Sequence, residues 1–212
     1  MRPMNADVEG SGLPLLTLPI LERMRAVEGW LSDGEADLLI ATAALALAVP
    51  GERPAIVEVG SYRGRSTVVL ASAARIVCPE ARVYAIDPHE GELGAEDARL
   101  DRVPPTLDDF TRNIATAGLA EVVKPIVKRS HEVAWDRPIR LLLIDGLHDH
   151  ANVARDFTHF DDWIEPGGYV AFHDYAAYYP GVVRFVDDLV ARGRYRAVAR
   201  IHSLFVVRKA VR

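Results

Sequence analysis

Between residues 55 and 172, short apolar runs alternate with stretches of helical pattern, and this alternation constrains the chain more than any other feature. The clearest run is Ile-Arg-Leu-Leu-Leu-Ile at 139–144. It is too short for a buried helix, and only a strand covered on both faces requires so continuous an apolar run. Similar runs stand at 55–59, 82–86, 122–127 and 169–172, with helical patterns at 64–77, 106–118, 149–164 and 181–191. Residues 195–201 and 203–207 read as a closing antiparallel pair. The prediction is an α/β fold with a doubly wound, mostly parallel seven-stranded sheet, an antiparallel last strand and right-handed crossovers.

Two helices are expected before the first strand. One covers 18–30. The other is capped by Ser32 or Asp33, carries Glu35 and Asp37 in its first turn where the helix dipole favours negative charge, and ends at Pro50-Gly51. The polar stretch 1–12 is expected to be loosely attached. Gly91, Gly94, Pro104 and Pro105 mark 89–105 as a loop insertion, and a short helix is expected near 131–135. Residues 1–32 are accordingly read as a tail and helical cap, and 33–212 as the main domain.

The chain has 212 residues, enough for one domain with a full core. A formal net charge of −5 disfavours sequence-independent nucleic-acid binding, which needs basic surface to neutralise phosphates. The single cysteine, Cys78, cannot form an internal disulfide and reads as a small apolar residue, which suits a reducing compartment. The apolar run at 38–49 is too short to span a bilayer, and residues 1–12 hold no apolar secretion core. A cytoplasmic protein without membrane or nucleic-acid partners is expected.

On such sheets ligands bind beyond the carboxyl ends of the strands, where the strand order reverses. The first strand runs into Glu58-Val-Gly-Ser-Tyr-Arg-Gly-Arg-Ser66, and the second ends in Asp87. Gly60 and Gly64 permit a tight turn and close backbone approach, and the helix behind them points free amides at whatever sits there. Asp87 is placed to take a ribose diol, so the pair of strand ends suits a nucleoside. The dinucleotide fingerprint G-x-G-x-x-G starting at Gly60 fails at Tyr62 and Arg65. Glu58 suits a cationic aminoacyl group better than a pyrophosphate. Plainer readings exist for each residue: turn glycines, Asp87 capping the turn before Pro88, Ser130 capping a helix with His131 in its first turn.

These segments resemble class I S-adenosylmethionine-dependent methyltransferases. Glu58 to Thr67 is similar to their first motif and Tyr84-Ala-Ile-Asp87 to their second. Ile144-Asp-Gly-Leu-His148 and Pro166-Gly-Gly-Tyr-Val-Ala-Phe-His-Asp-Tyr175 resemble a small-molecule O-methyltransferase group that includes macrocin O-methyltransferase and cephalosporin hydroxylase-like relatives, and more remotely catechol O-methyltransferase. The resemblance covers about 33–208. Tyr62 stands where the common motif has glycine, and His173 where some relatives carry an acidic residue. The resemblance implies that Glu58, Gly60 and Ser61 line the methionine end, with Tyr62 and Ser66 in the same motif. It also implies that Asp87 holds the ribose, that Ser130 and His131 lie near the adenine, and that Asp145 lies beside the cofactor.

Asp145 and Asp174 end strands expected to be neighbours. Carboxylates held close repel unless a cation or proton intervenes, and Mg²⁺ favours oxygen ligands. The expected metal set is Asp145, His173 and Asp174, with an imidazole ligand leaving a softer ion open. His148, three residues after Asp145, stands where catechol O-methyltransferase has a lysine base, and imidazole can take a hydroxyl proton. His150 could face the site or solvent, and His159 is assigned to a satisfied position. Tyr175, Tyr178 and Tyr179 could wall an acceptor pocket or simply pack. The expected activity is methyl transfer to a hydroxyl of a small metabolite, metal-assisted. The rivals are a nicotinamide-dependent oxidoreductase and a non-catalytic nucleoside-binding domain. The acceptor, and N- against O-methylation, are left open. The apolar N-terminal helices would suit a homodimer.

Overall fold

The computed structural model describes residues 16–49 and 54–211. The expectations for 1–12 and for Pro50-Gly51 lie outside the described residues. Helix α1 is Leu18–Arg25 and α2 is Asp33–Leu47. The chain then alternates: β1 Ala55–Val59, α3 Arg65–Val77, β2 Arg82–Ile86, a hairpin of β3 Glu92–Gly94 and β4 Leu100–Arg102, α4 Leu107–Thr116, β5 Val123–Ile126. A 3₁₀ turn at Ser130–Glu132 leads to β6 Ile139–Ile144, α5 His150–Asp161, β7 Ile164–Phe172, α6 Pro180–Ala191, β8 Tyr195–Ile201 and β9 Leu204–Lys209.

The main sheet has the expected seven strands, mostly parallel, in the order β5-β2-β1-β6-β7-β9-β8, with β9 antiparallel to both its neighbours. The chain winds outward from β1 through β2 to β5, then returns to place β6 on the other side of β1. The order therefore reverses between β1 and β6, and a ligand crevice is expected at their carboxyl ends. Alternate side chains explain the apolar run of β6. Leu141 and Leu143 join the core that α1, α2 and α3 cover, while Leu142 and Ile144 join the core of α5 and α6 around Phe157, Phe160 and Phe172.

Four local expectations change. The first helix stops at Arg25 rather than near Trp30, and the Arg65 guanidinium takes up the carbonyls that follow, donating to Val27 O at 2.7 Å and Leu31 O at 2.8 Å. Segment 89–105 is not a plain loop: Glu92 pairs with Arg102, and Gly94 with Leu100. Its strands are three residues long and at least partly exposed, so they carry no period-two apolar signal. β7 starts at Ile164, five residues early, and passes Pro166-Gly-Gly as a bulge, Gly167 having φ +81°. The helix expected near 131–135 is the single 3₁₀ turn.

Candidate active site

β1 ends in a turn that only special backbone conformations allow. Gly60 has φ +87° and Gly64 φ +92°, and Tyr62, in the glycine position of the resembled motif, is itself left-handed at φ +48°. Asp87 holds this turn to the end of β2. One carboxylate oxygen accepts the Tyr62 amide at 2.8 Å and the other the His89 amide at 2.6 Å. Asp87 also lines a cavity of about 770 Å³ at the switch point, and each of its oxygens has a lone pair to spare. Trp30 packs on Tyr62 with ring centroids 5.2 Å apart, so the segment after α1 forms part of the wall.

Of the residues expected to touch a cofactor, Gly60, Ser61, Tyr62, Ser66, Asp87, Ser130 and Asp145 line this cavity. Glu58 and His131 are not among the lining residues, and His131 points outward from the 3₁₀ turn, exposed. Glu58 is fully buried beneath the turn, where the Ser66 and Thr67 hydroxyls donate to its two oxygens at 2.5 Å each. The strand explains this. Val57 and Val59 face α5, so Glu58 between them must face α3.

Burial pushes the Glu58 carboxyl up to about 8, against the pull of the two hydroxyls and with help from the charges of Asp145 and Asp87. In the unfolded chain its value is near 4.3. Between those values the folded chain keeps a proton that the unfolded chain has lost. This contribution is therefore complete below about pH 4 and is lost as pH rises towards 8, at no more than about 1.4 kcal/mol per pH unit. Denaturant titrations from pH 5 to 8 should show stability falling faster for the wild type than for Glu58→Gln, which keeps polar partners for Ser66 and Thr67 but cannot titrate. Parallel curves would place the Glu58 carboxyl in its ordinary range.

At the far end of the cavity, β6 and β7 bring four groups together. Asp145 follows β6, with its amide on Val59 O at 2.8 Å. His173 and Asp174 follow β7, and Asp174 adopts φ +58°. The His173 Nδ1 lies 3.0 Å from Asp145 Oδ1 and 3.0 Å from Asp174 Oδ2. His148 Nε2 lies 3.3 Å from Asp174 Oδ2, and its ring packs 4.4 Å from that of Tyr179. Tyr178 donates to Asp174 Oδ1 at 3.2 Å. Tyr178 and Tyr179 line the cavity, whereas Tyr175 packs against Phe205 outside it. His150 also turns away, towards Phe185, and His159 is satisfied by Val133 O at 2.8 Å.

The charges are strongly coupled. Burial disfavours a charged His173, but Asp145, Asp174 and Glu35 outweigh it and hold the imidazole well above its usual range. Burial likewise opposes an ionised Asp174, and His173 and His148 overcome it, keeping that carboxyl low. The ligand atoms of Asp145, His173 and Asp174 lie within 4.8 Å of one another, so a cation shared among them fits this donor set.

Three residues here were not expected at the site. Glu35, in the first turn of α2, is buried with Oε2 3.6 Å from His173 Nε2. Asp156 and Asn152 reach the cavity from α5, and Asp156 accepts the Ser130 hydroxyl. Burial raises the Asp156 carboxyl, with Ser130 pulling the other way. Asp156 sits two turns from the α5 N-cap Asp149, and an acidic residue there reads equally well as solvated surface.

A family model described as a methyltransferase domain matches residues 57–175, which contain the glycine turn, Asp87, Asp145, His148, His173 and Asp174. Solved structures share the fold. The O-methyltransferase TomG from Streptomyces achromogenes, involved in tomaymycin synthesis and solved with S-adenosylmethionine, is 18% identical with a TM-score of 0.63, over 92% of this chain and 89% of that one. The O-methyltransferase NovP is 16% identical with a TM-score of 0.70, over 87% and 84%. An O-methyltransferase from Bacillus cereus, solved with S-adenosylhomocysteine, is 18% identical with a TM-score of 0.64, over 92% and 90%. With more than half of the chain, and both ends of the cavity, inside the matched segment, the protein belongs to this family of methyltransferase domains.

Proposed function

We propose that the protein transfers the methyl group of S-adenosylmethionine to a hydroxyl of a small molecule, with a divalent cation at Asp145, His173 and Asp174. One observation carries this reading. A single cavity at the switch point joins a nucleoside-type end, the Gly60 turn with Asp87, to a proton-handling end with two carboxylates and two imidazoles. A nicotinamide site would need the glycines that Tyr62 and Arg65 replace. A purely binding domain would have no use for His148 and Asp174 placed 3.3 Å apart at the far end of the cavity.

In this reading Asp87 accepts the ribose hydroxyls, and the Ser61 and Tyr62 turn borders the methionine end. Ser130, oriented by Asp156, lies at the adenine end. Residues 16–32 act as a cap through Trp30, and Tyr178 and Tyr179 flank the acceptor. His148 takes the hydroxyl proton as the oxygen attacks the methyl carbon and the sulfonium leaves as a neutral sulfide. Asp174 orients His148 and stabilises the imidazolium that forms. A divalent ion, when bound, would lower the pKa of the acceptor hydroxyl and hold its oxygen in line.

Calorimetry with S-adenosylhomocysteine tests the cofactor. The wild type should bind in the micromolar range, and Asp87→Ala should lose about tenfold or more, since its two backbone donors are left unpaired along with the ribose. Absence of binding by the wild type would overturn the reading.

A further inference from the structure

Behind His173, on the side away from the cavity, sits a carboxylate that the methyl-transfer reading does not use. Glu35 is 3% exposed, and backbone amides hold both of its oxygens: Ser203 N donates to Oε1 at 2.9 Å and Ser32 N to Oε2 at 2.9 Å. The Ser203 and Ser32 hydroxyls add donors at 2.7 and 2.8 Å. A helix cap needs the contacts to Ser32 alone. Ser203 comes from the turn between β8 and β9, and its two further donors fix the carboxylate against the imidazole.

Glu35 so held is an acceptor towards His173, whose Nε2 faces it at 3.6 Å and finds no other partner among the described residues. That holds a proton on Nε2, so a cation that replaces the proton on Nδ1 would meet a lone pair aimed between Asp145 and Asp174. A lone pair 3.0 Å from two carboxylate oxygens is repelled unless a proton or a cation stands between them, and the same spacing accommodates either. Two ligand atoms each about 2.1 Å from an ion, at right angles, are about 3.0 Å apart. A carboxylate behind a ligating imidazole fixes its tautomer and raises its basicity. Magnesium takes all-oxygen surroundings, whereas imidazole suits transition ions.

We propose that Glu35 is a positioning residue that presents His173 Nδ1 as a metal ligand, and that the Asp145–His173–Asp174 site therefore selects a divalent transition ion over Mg²⁺. The proposal rests on the cation in the reading above, but its test is independent of the cofactor. Co²⁺ is the probe, because its visible absorption reports ligation directly. Co²⁺ and Mg²⁺ are each titrated into the full chain, and S-adenosylhomocysteine is titrated into the same samples.

The wild type should bind one Co²⁺ with a visible band and prefer it to Mg²⁺ at least a hundredfold. Glu35→Gln can keep the contacts to Ser32 but turns its amide NH₂ on the Ser203 donors, so it should melt a few degrees low; it should weaken Co²⁺ by about 10- to 100-fold with S-adenosylhomocysteine affinity little changed. His173→Asp should cut the preference for Co²⁺ over Mg²⁺ at least tenfold. That comparison separates ligand choice from the general affinity order of the two ions. Equal affinity of the wild type for both ions, or an unchanged preference in His173→Asp, would overturn the selectivity. Unchanged Co²⁺ affinity in Glu35→Gln would overturn the role of Glu35. Cofactor binding without any metal uptake would mean that a proton on His173 takes the place of the ion, sinking this proposal and sparing methyl transfer. Metal uptake without cofactor binding would do the reverse.

Discussion

Replacing His148 with glutamine should slow methyl transfer by about 10²- to 10⁴-fold, the usual worth of a positioned general base, and leave S-adenosylhomocysteine affinity within about twofold. The expectation follows from how the side chain is held. The His148 amide donates to Gly94 O at 2.9 Å, tying the loop after β6 to the β3–β4 hairpin. Its ring stacks against Tyr179 at 4.4 Å, and Nε2 reaches Asp174 at 3.3 Å. Glutamine can keep the tie to Asp174 and fill most of the space, but it cannot accept a proton at neutral pH. Single-turnover rates with an acceptor that the wild type methylates, beside cofactor calorimetry on both proteins, make the measurement. A variant that loses affinity and rate together would make His148 a binding residue. A variant with the wild-type rate would put the base elsewhere.

The sequence made the frame of this site legible because its parts are local. The apolar run of β6 needs cover on both faces, and the residue after it must reach the end of the sheet, which is where Asp145 stands. The turn after β1 carries its own glycines, and the sheet order places Asp87 beside it. What could not be read is contact across the chain. Glu35 reads as a charge favoured by the α2 dipole, and it does sit in a capping box with Ser32. Its burial depends on Ser203, 168 residues away, and on His173. Glu58 was expected to line the methionine end, yet the strand period turns it under the floor towards Ser66 and Thr67. The β3–β4 hairpin leaves no mark in the sequence because its three-residue strands are at least partly exposed and carry no alternation.

Gly60→Ala should remove cofactor binding and destabilise the fold by about 3 kcal/mol or more, among the larger effects of a single substitution. A Cβ at Gly60 would lie 2.1 Å from the Asp145 carbonyl oxygen and 2.7 Å from the Gly146 nitrogen. These are backbone atoms at the end of β6, so no rotamer change relieves the clash. The strand ends cannot separate freely either, because the Gly60 amide is bonded to Ile86 O at 2.9 Å and the Asp145 amide to Val59 O at 2.8 Å. Pushing β1 from β6 breaks the Asp145–Val59 bond and drives β1 into the β2 edge that holds Gly60, at the place where Asp87 and Asp145 meet the cavity. The left-handed conformation, φ +87°, adds a cost of about 1–2 kcal/mol for any side chain. Gly118→Ala separates the two causes, since Gly118 has φ +67° but nothing within 4 Å of its Cβ position. In a chain of this size each kcal/mol lowers the melting temperature by about 2–4 °C. Gly118→Ala should therefore melt a few degrees low and bind cofactor normally, while Gly60→Ala melts at least twice as far down and binds none. If the two variants melt alike, backbone strain alone accounts for both, and the close approach of β1 to β6 is not what shapes the crevice.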